Sequence, residues 1–600
     1  MHAGSVPLQV ALQPVRVYLT EERLSADKMV IVNRMISHYS AIYTRDSLQP
    51  GYDAPILFVS GPPGAGKTHM VKALVDISNT MNVGDVVRGA YLGIAGVNVG
   101  GSSLCSLMDI PVGQSGKEQL LRPWKTENLD DFKRMYDVRR ISCFVIDEIS
   151  TTMAYILANV HQRLMEATGV KKLFGGVAVL LVGDYDQMPP AVGESIPATI
   201  MKLERSKMWR RRFGHANRDL VTGASAAGAR IFKRAEHIKL TTQHRSNDER
   251  QTALINKMRE EQKVTKEDLR EMYPLLGEGP NGDEAFQHAT VIVTGNYERR
   301  LINDCQSERF ARCNKTVIVR WQRRLKQWMG GPTTAAGVEH AVENNACFWE
   351  TFLCNALGYL NLNLNTKIGM ANGTLIRYHS LSFLKDADLT IFNRLVNEAR
   401  AGETVTLTDP PDIINVELFP DVVGQSDGEL KKNKESRQNW KWGSVPNSEG
   451  KIIVPISRHN TRNIRKMSEL VRPSKRPVRY CPSRAILQDH FPLELGFAVT
   501  IYKVQGRTIY KIIVALSKHT EEKLRFIFEG VYTALSRIRK SEDMRLLLTN
   551  NDWNTLDYIA SLEKDPEITQ FFKGYPDSPN NFVRWDPGLA GVGASTETNS

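Results

Sequence analysis

Eight consecutive residues have the types and spacing to hold a triphosphate: Gly61, Pro62, Pro63, Gly64, Ala65, Gly66, Lys67 and Thr68. The glycines at 61, 64 and 66 let backbone N–H groups turn inward toward phosphate oxygens. The stretch follows an apolar run, Ile56–Val59, and precedes a helical pattern from His69 to Ile77. A strand, a glycine loop and a helix start in that order add the positive end of the helix dipole to the cradle. Lys67 then reaches the β- and γ-phosphates, and the Thr68 hydroxyl is a ligand for the Mg²⁺ that accompanies a nucleotide. Binding of a nucleoside triphosphate with Mg²⁺ is the expectation.

A second apolar run, Cys143–Ile146, leads straight into Asp147 and Glu148. In a parallel sheet both carboxylates emerge at the carboxyl edge, beside the phosphate loop. Asp147 is placed to hold Mg²⁺ and Glu148 to orient and deprotonate the attacking water. A third run, Val177–Val182, ends in Gly-Asp-Tyr-Asp-Gln-Met-Pro-Pro, which puts the Gln187 carboxamide where it can sense a γ-phosphate. Further along lie Leu240–Ser246 with Arg245, Thr500–Thr508 with Gln505 and Gly506, and Tyr532–Arg537. Their guanidinium groups supply what phosphoryl transfer still lacks, positive charge to neutralise the γ-phosphate as it leaves.

These residues need sheets to position them. The runs above, with Thr290–Val293, Lys511–Ala515 and Arg545–Leu548, alternate with helical patterns, which predicts α/β lobes built on parallel sheets. From about residue 386 to 484 the rhythm breaks into short β-like pieces, Val405–Leu407, Asn415–Leu418 and Ile452–Ile456, in a stretch rich in Pro, Asn, Lys and Arg. This reads as an inserted small β domain. At 600 residues and 42% hydrophobic the chain can bury several cores, and a net charge of +12 favours a polyanionic partner. Its seven cysteines form no CxxC pair, and no apolar run approaches the 18 residues a membrane span requires. A soluble protein of a reducing, intracellular compartment is expected.

In their order these motifs resemble superfamily-1 helicases, and in detail the Pif/RecD-like branch of 5′→3′ DNA helicases. Ile94–Leu107 is similar to that branch's DNA-contacting loop, Val145–Ser150 to its IDEIS box and Gly183–Pro190 to its GDxxQLPP box. Ile292–Asn303, Gly369–Thr374, Phe497–Gly506 and Tyr532–Arg537 resemble its remaining motifs, so the likeness covers about residues 19–550. It implies two RecA-like P-loop lobes with an SH3-like β insertion in the second.

The resulting division is a disordered tail 1–18, a first lobe 19–235 with a small wedge at about 108–140, a second lobe 236–385 and 485–578 interrupted by the insertion 386–484, and a disordered tail 579–600. Carried over by position, Lys67, Asp147, Glu148, Gln187, Arg245 and Arg537 form the ATPase set, and Gln505 and Gly506 join the phosphate loop at the nucleotide. Ser102, Ser103, Ser106, Thr500, Tyr502 and Lys503 face DNA. Tyr502 and Cys105 stand where the family has histidines, and Arg23 stands where it has the glutamine that reads adenine. The implied activity is ATP-dependent translocation on single-stranded DNA with unwinding of forked duplexes. ATP-gated nucleic-acid binding without strand separation is the alternative. The implied compartment is the nucleus first, with a mitochondrial, viral or mobile-element setting as the others.

Overall fold

Alternating side chains fix both faces of the first sheet. The computed structural model describes residues 6–22, 24–49, 51–111, 121–213, 221, 223–278, 284–327, 349–365, 369–418, 452–466, 485–518, 525–578 and 581–592. Within it, β1 (Ile56–Ser60), β2 (Asp85–Ala90), β3 (Ser102–Ser103), β4 (Ile141–Asp147), β5 (Ala178–Gly183) and β6 (Glu236–Lys239) form one parallel sheet in the order β3-β2-β4-β5-β1-β6. Phe58, Phe144, Ile146, Val179 and Leu181 point into one apolar cluster; Leu57, Val59, Cys143, Val145, Leu180 and Val182 point into the other. Burial on both faces gives such strands continuous apolar runs, which is why β1, β4 and β5 are legible in the sequence. Helices Ala26–Tyr43 and Lys67–Met81 cover one face, and Ala154–Thr168 packs in the cluster on the other.

A second parallel sheet of β7 (Thr290–Val293), β19 (Ala498–Thr500), β20 (Ile512–Ala515) and β21 (Met544–Leu547) runs in the order β19-β7-β20-β21. Between β7 and β19 the chain builds the β-rich insertion. Its largest sheet is antiparallel, β15 (Ile452–Ser457), β14 (Ile413–Leu418), β12 (Leu375–Ser382), β11 (Leu357–Leu360) and β18 (Leu493–Leu495) in that order. A second sheet places β8 (Ile318–Gln322) between β10 (Trp349–Phe352) and β13 (Thr404–Leu407). A third joins β16 (His459–Lys466), β17 (Ala485–His490) and β9 (Arg324–Gln327). The fully buried Trp321, whose indole N–H donates to Glu350 at 2.9 Å, lies in the insertion's core beside Phe491.

Several expected boundaries move. The insertion runs from β8 to β18, about Ile318 to Leu495, and not from 386 to 484, because strands on both sides of the Pro/Asn-rich stretch pair with one another. The first lobe continues past 235, since β6 pairs with β1. Residues 8–18 are not a disordered tail. Helices Leu8–Ala11 and Gln13–Glu22 form there, and Val15 is buried in the first lobe's core.

The C-terminal stretch also leaves the second lobe. Helix Pro566–Phe572 packs on helix Ile196–Phe213, Val583 and His237 exchange backbone hydrogen bonds of 2.9 and 2.8 Å, and Trp585, Ala590 and Val592 enter the first lobe's core. The chain thus crosses between the lobes twice, at 240–248 and again after Ser561. Of the wedge, residues 112–120 lie outside the described residues, as does the basic stretch Lys431–Trp442; Trp124 packs against Phe132 and under the Arg163 guanidinium.

Candidate nucleotide-binding and DNA-facing sites

β1, β4 and β5 are neighbours, so the loops at their carboxyl ends converge. The phosphate loop after β1, Asp147 and Glu148 after β4, and Asp184 to Gln187 after β5 meet at one edge of the sheet. There the phosphate loop, Asp147, Glu148 and Gln187 line a cavity of about 250 Å³ with Ala95, Asn98, His244, Arg245, Gly506, Thr508, Arg537 and Arg539. Gly64 and Gly66 have φ of +86° and +77°, the left-handed region that glycine enters without strain. At Gly64 a Cβ would also run into the Gln243 carboxamide oxygen, so the interlobe linker presses on the loop. The linker is fastened there. Gln243 donates to the Pro63 carbonyl at 2.6 Å, and the His244 N–H donates to the Gly64 carbonyl at 2.9 Å.

The charged groups face each other across this cleft. The Lys67 ammonium donates to the carbonyls of Gly61 and Pro62 at 2.6 and 3.0 Å, and burial lowers its pKa against the pull of Asp184, Glu148 and Asp147. Asp147 is pushed up to about 7 by burial and by the Glu148 charge beside it. Glu148 is buried at a φ of +49° and accepts from the Gln505 carboxamide at 3.3 Å. Arg245 is brought down to about 9, by burial and then by the Arg537 charge.

Arg537 is fixed by hydrogen bonds just beyond the end of helix Phe528–Leu535. It donates to the carbonyls of Thr533 and Arg507 at 2.9 and 3.2 Å, to the Ser536 hydroxyl at 2.8 Å and to the Gln187 carboxamide oxygen at 3.0 Å. Gln187 in turn donates to Asp184 at 3.2 Å, and Tyr532 donates to the same Asp184 oxygen at 3.1 Å. Arg245 reaches the Ser536 carbonyl at 2.9 Å from the linker between the lobes.

The residues expected at the nucleotide, drawn from the first lobe, the linker and the second lobe, therefore border one cleft or its immediate wall. Gln505 is wholly buried behind Glu148, and Gly506 is on the cleft surface. The sequence does not single out Asn98, Thr508, Arg539 or the pair Lys28 and His244. His244 adjoins Arg245 in a marked segment, yet a polar linker residue carries no periodic signal that separates it from its neighbours. Arg23 lies outside the described residues.

The expected DNA-facing residues divide. Thr500 and Lys503 line a separate cavity of about 340 Å³ between the second lobe and the insertion, with Asn296, Arg299, Arg300 and Trp349. There Glu494 of β18 pairs with both Arg299 and Lys503. Tyr502 is instead half-buried against the second lobe's core, with its hydroxyl pKa raised by burial and by Glu529. Ser103 is buried, caps the helix Leu104–Leu107 by accepting from the Ser106 N–H at 3.3 Å, and donates to the Ser106 hydroxyl at 2.8 Å. Ser102 is buried in β3 as well; Ser106 alone of the three is exposed. Burial pushes the Cys105 thiol up to about 12, which makes it a neutral, weakly polar group.

Residues 50–222 match the family model described as PIF1-like helicase. ATP-dependent DNA helicase RRM3 of Saccharomyces cerevisiae is 21% identical over 517 residues, 82% of this chain and 62% of that protein. ATP-dependent DNA helicase Pif1 of a Psychrobacter species is 23% identical over 523 residues, 84% of this chain and 67% of that one. The chain is similar to PIF1-like helicases, by the family model over residues 50–222 and by two relatives that align with 82% and 84% of it. Its fold is that of the crystal structure of Pif1 helicase from Bacteroides in complex with ADP-AlF3 and ssDNA, with a TM-score of 0.54 at 20% identity over 89% of this chain and 96% of that one. The chain spans about three-fifths of the yeast relative's length. No helix among its described residues is long and apolar enough to cross a membrane.

Proposed function

We propose that this chain is an ATP-dependent DNA helicase that moves along single-stranded DNA, 5′→3′, and opens forked duplexes. The observation that carries this reading is the Arg537–Gln187 hydrogen bond, with Arg245 beside it. A second-lobe guanidinium is thereby joined to the first-lobe strand end that borders the phosphate loop. Such an arrangement lets the γ-phosphate decide whether the lobes are drawn together. Glu148 accepts the proton of the attacking water, Lys67 moves from its loop carbonyls to the phosphates, and Arg245 and Arg537 stabilise the charge that develops. Thr68 and Asp147 both face the cleft and fit a Mg²⁺ shared with the nucleotide, which supplies charge neutralisation when bound.

Lobe closure becomes movement if the DNA contacts of the closed and open states differ in affinity. Thr500 and Lys503 on the second lobe and Ser106 on the first are the contacts assigned here. Single-stranded DNA as partner is supported by the fold shared with the Bacteroides helicase, which was crystallised with ssDNA. A DNA-containing compartment follows from that substrate, with the nucleus proposed first and a mitochondrial, viral or mobile-element setting as the alternatives. The test is hydrolysis with and without single-stranded DNA, together with unwinding of 5′-tailed and 3′-tailed duplexes. Hydrolysis stimulated by DNA and unwinding of the 5′-tailed duplex are expected. Stimulated hydrolysis without unwinding would reduce the chain to an ATP-gated DNA binder, and hydrolysis indifferent to DNA would overturn the reading.

A further inference from the structure

A buried ammonium with no salt-bridge partner among the described residues stands against the phosphate loop. Lys28, at the start of helix Ala26–Tyr43, is only 3% exposed, and a Cβ placed on Gly66 would lie 2.7 Å from its Nζ. Among the described residues its amine has one hydrogen-bond partner, the His244 imidazole, at 2.7 Å. An ammonium has donors only, so Nε2 of His244 must accept, which makes this imidazole neutral. Two of the three N–H bonds therefore lack an acceptor among the described residues.

The neighbouring carboxylate does not relieve this. Asp27 accepts from the Ser25 hydroxyl at 2.5 Å, from the Lys28 backbone N–H at 2.9 Å, and from the backbone N–H groups of Thr241 and Thr242 at 2.9 and 3.2 Å. It staples the helix to the interlobe linker, and among the described residues the Lys28 amine forms no ion pair. Burial of an uncompensated charge is costly, and such groups persist where a ligand supplies the opposite charge. Burial also holds the Lys28 pKa below its ordinary value, with Asp27 opposing.

We propose that Lys28 is a second phosphate-binding cation of the nucleotide site, donating to a non-bridging oxygen of the phosphate chain from the side of the loop opposite the carboxylates. This rests on the nucleoside-triphosphate reading above. Lys67 enters from within the loop and meets Asp147, Glu148 and Asp184. Lys28 enters over Gly66 from the N-terminal helix, and His244 holds it there while the linker clamps the loop. The contact is blind to the base, because phosphate is common to every nucleotide.

The experiment is calorimetric binding of ADP, GDP, CDP and UDP with Mg²⁺ to the full chain, in wild type, Lys28→Met and Lys28→Arg. Lys28→Met is expected to weaken all four by a common factor of about 10 to 100, the contribution of a charged hydrogen bond. Lys28→Arg should retain most of the affinity, and single-stranded DNA binding and the unfolding midpoint should not fall. A loss that differs strongly among the four bases would place the ammonium at the base and overturn the proposal. An unchanged affinity, with or without a fall in the midpoint, would leave Lys28 a structural residue and overturn it too. Wild-type protein that binds none of the four would instead sink the nucleotide reading itself.

Discussion

Replacing Glu148 by glutamine separates chemistry from binding at the nucleotide site. The carboxylate is buried and accepts from the Gln505 carboxamide at 3.3 Å. A carboxamide of the same shape can still accept from Gln505, so Glu148→Gln should change unfolding stability by less than about 1 kcal/mol. Removing the proposed general base should lower kcat by about 10²- to 10⁴-fold. The electrostatic consequence has the opposite sign for binding. Glu148 is among the anions that offset the buried charges of Lys67, Arg245 and Arg537.

Two unit charges about 6 Å apart at an effective dielectric near 20 interact by about 3 kcal/mol. Mg²⁺, water and relaxation reduce that to an order of 1 kcal/mol, or about a five-fold gain in affinity for the triphosphate. Single-turnover hydrolysis and equilibrium binding of a non-hydrolysed ATP analogue measure the two effects separately. A kcat within tenfold of wild type would refute Glu148 as the base. Weaker analogue binding by a folded variant would refute the charge argument.

Three further outcomes follow from the same contacts. Arg537→Lys keeps a charge but cannot reproduce the fork that joins Gln187, Ser536 and two carbonyls, so kcat should fall about 10³-fold with little change in nucleotide affinity; a kcat loss below tenfold would argue against its role. Glu494→Gln removes the carboxylate charge that pairs with Arg299 and Lys503, so single-stranded DNA should bind several-fold more tightly and the slope of log affinity against log salt should steepen by about 1 to 2. Fluorescence anisotropy across a salt series measures this, and an unchanged slope would remove that cavity from the DNA path. Trp585→Ala empties a site where the indole stacks on Phe571 at 5.7 Å and donates to its carbonyl at 2.9 Å, so the first lobe should lose about 3–5 kcal/mol in denaturant unfolding; a loss under about 1 kcal/mol would mean the C-terminal stretch is only loosely seated.

Motifs are legible where one short segment carries both its element and its chemistry. The apolar runs of β1, β4 and β5 are buried on both faces, and each runs directly into the residues it presents: the phosphate loop, Asp147 with Glu148, and Gln187. By itself the chain thus determined the α/β class, the strands that matter most and most members of the candidate nucleotide site. β2 and β6 are not legible, since Asp85–Ala90 and Glu236–Lys239 mix polar with apolar residues and owe their place to the neighbours they pair with.

Relations between distant segments required the tertiary structure. Strand pairing moved the insertion's start to Ile318, because composition changes where a stretch becomes polar and not where it changes partners. Burial separated Ser103 and Tyr502 from the surfaces they were expected to share, since the same hydroxyl can cap a helix or face solvent. The return of Trp585 to the first lobe and the meeting of Arg537 with Gln187 both depend on packing between segments far apart in the chain. Lys28 shows the limit most plainly: a lysine on a helix reads as solvated surface until the fold lays the phosphate loop and the linker over it.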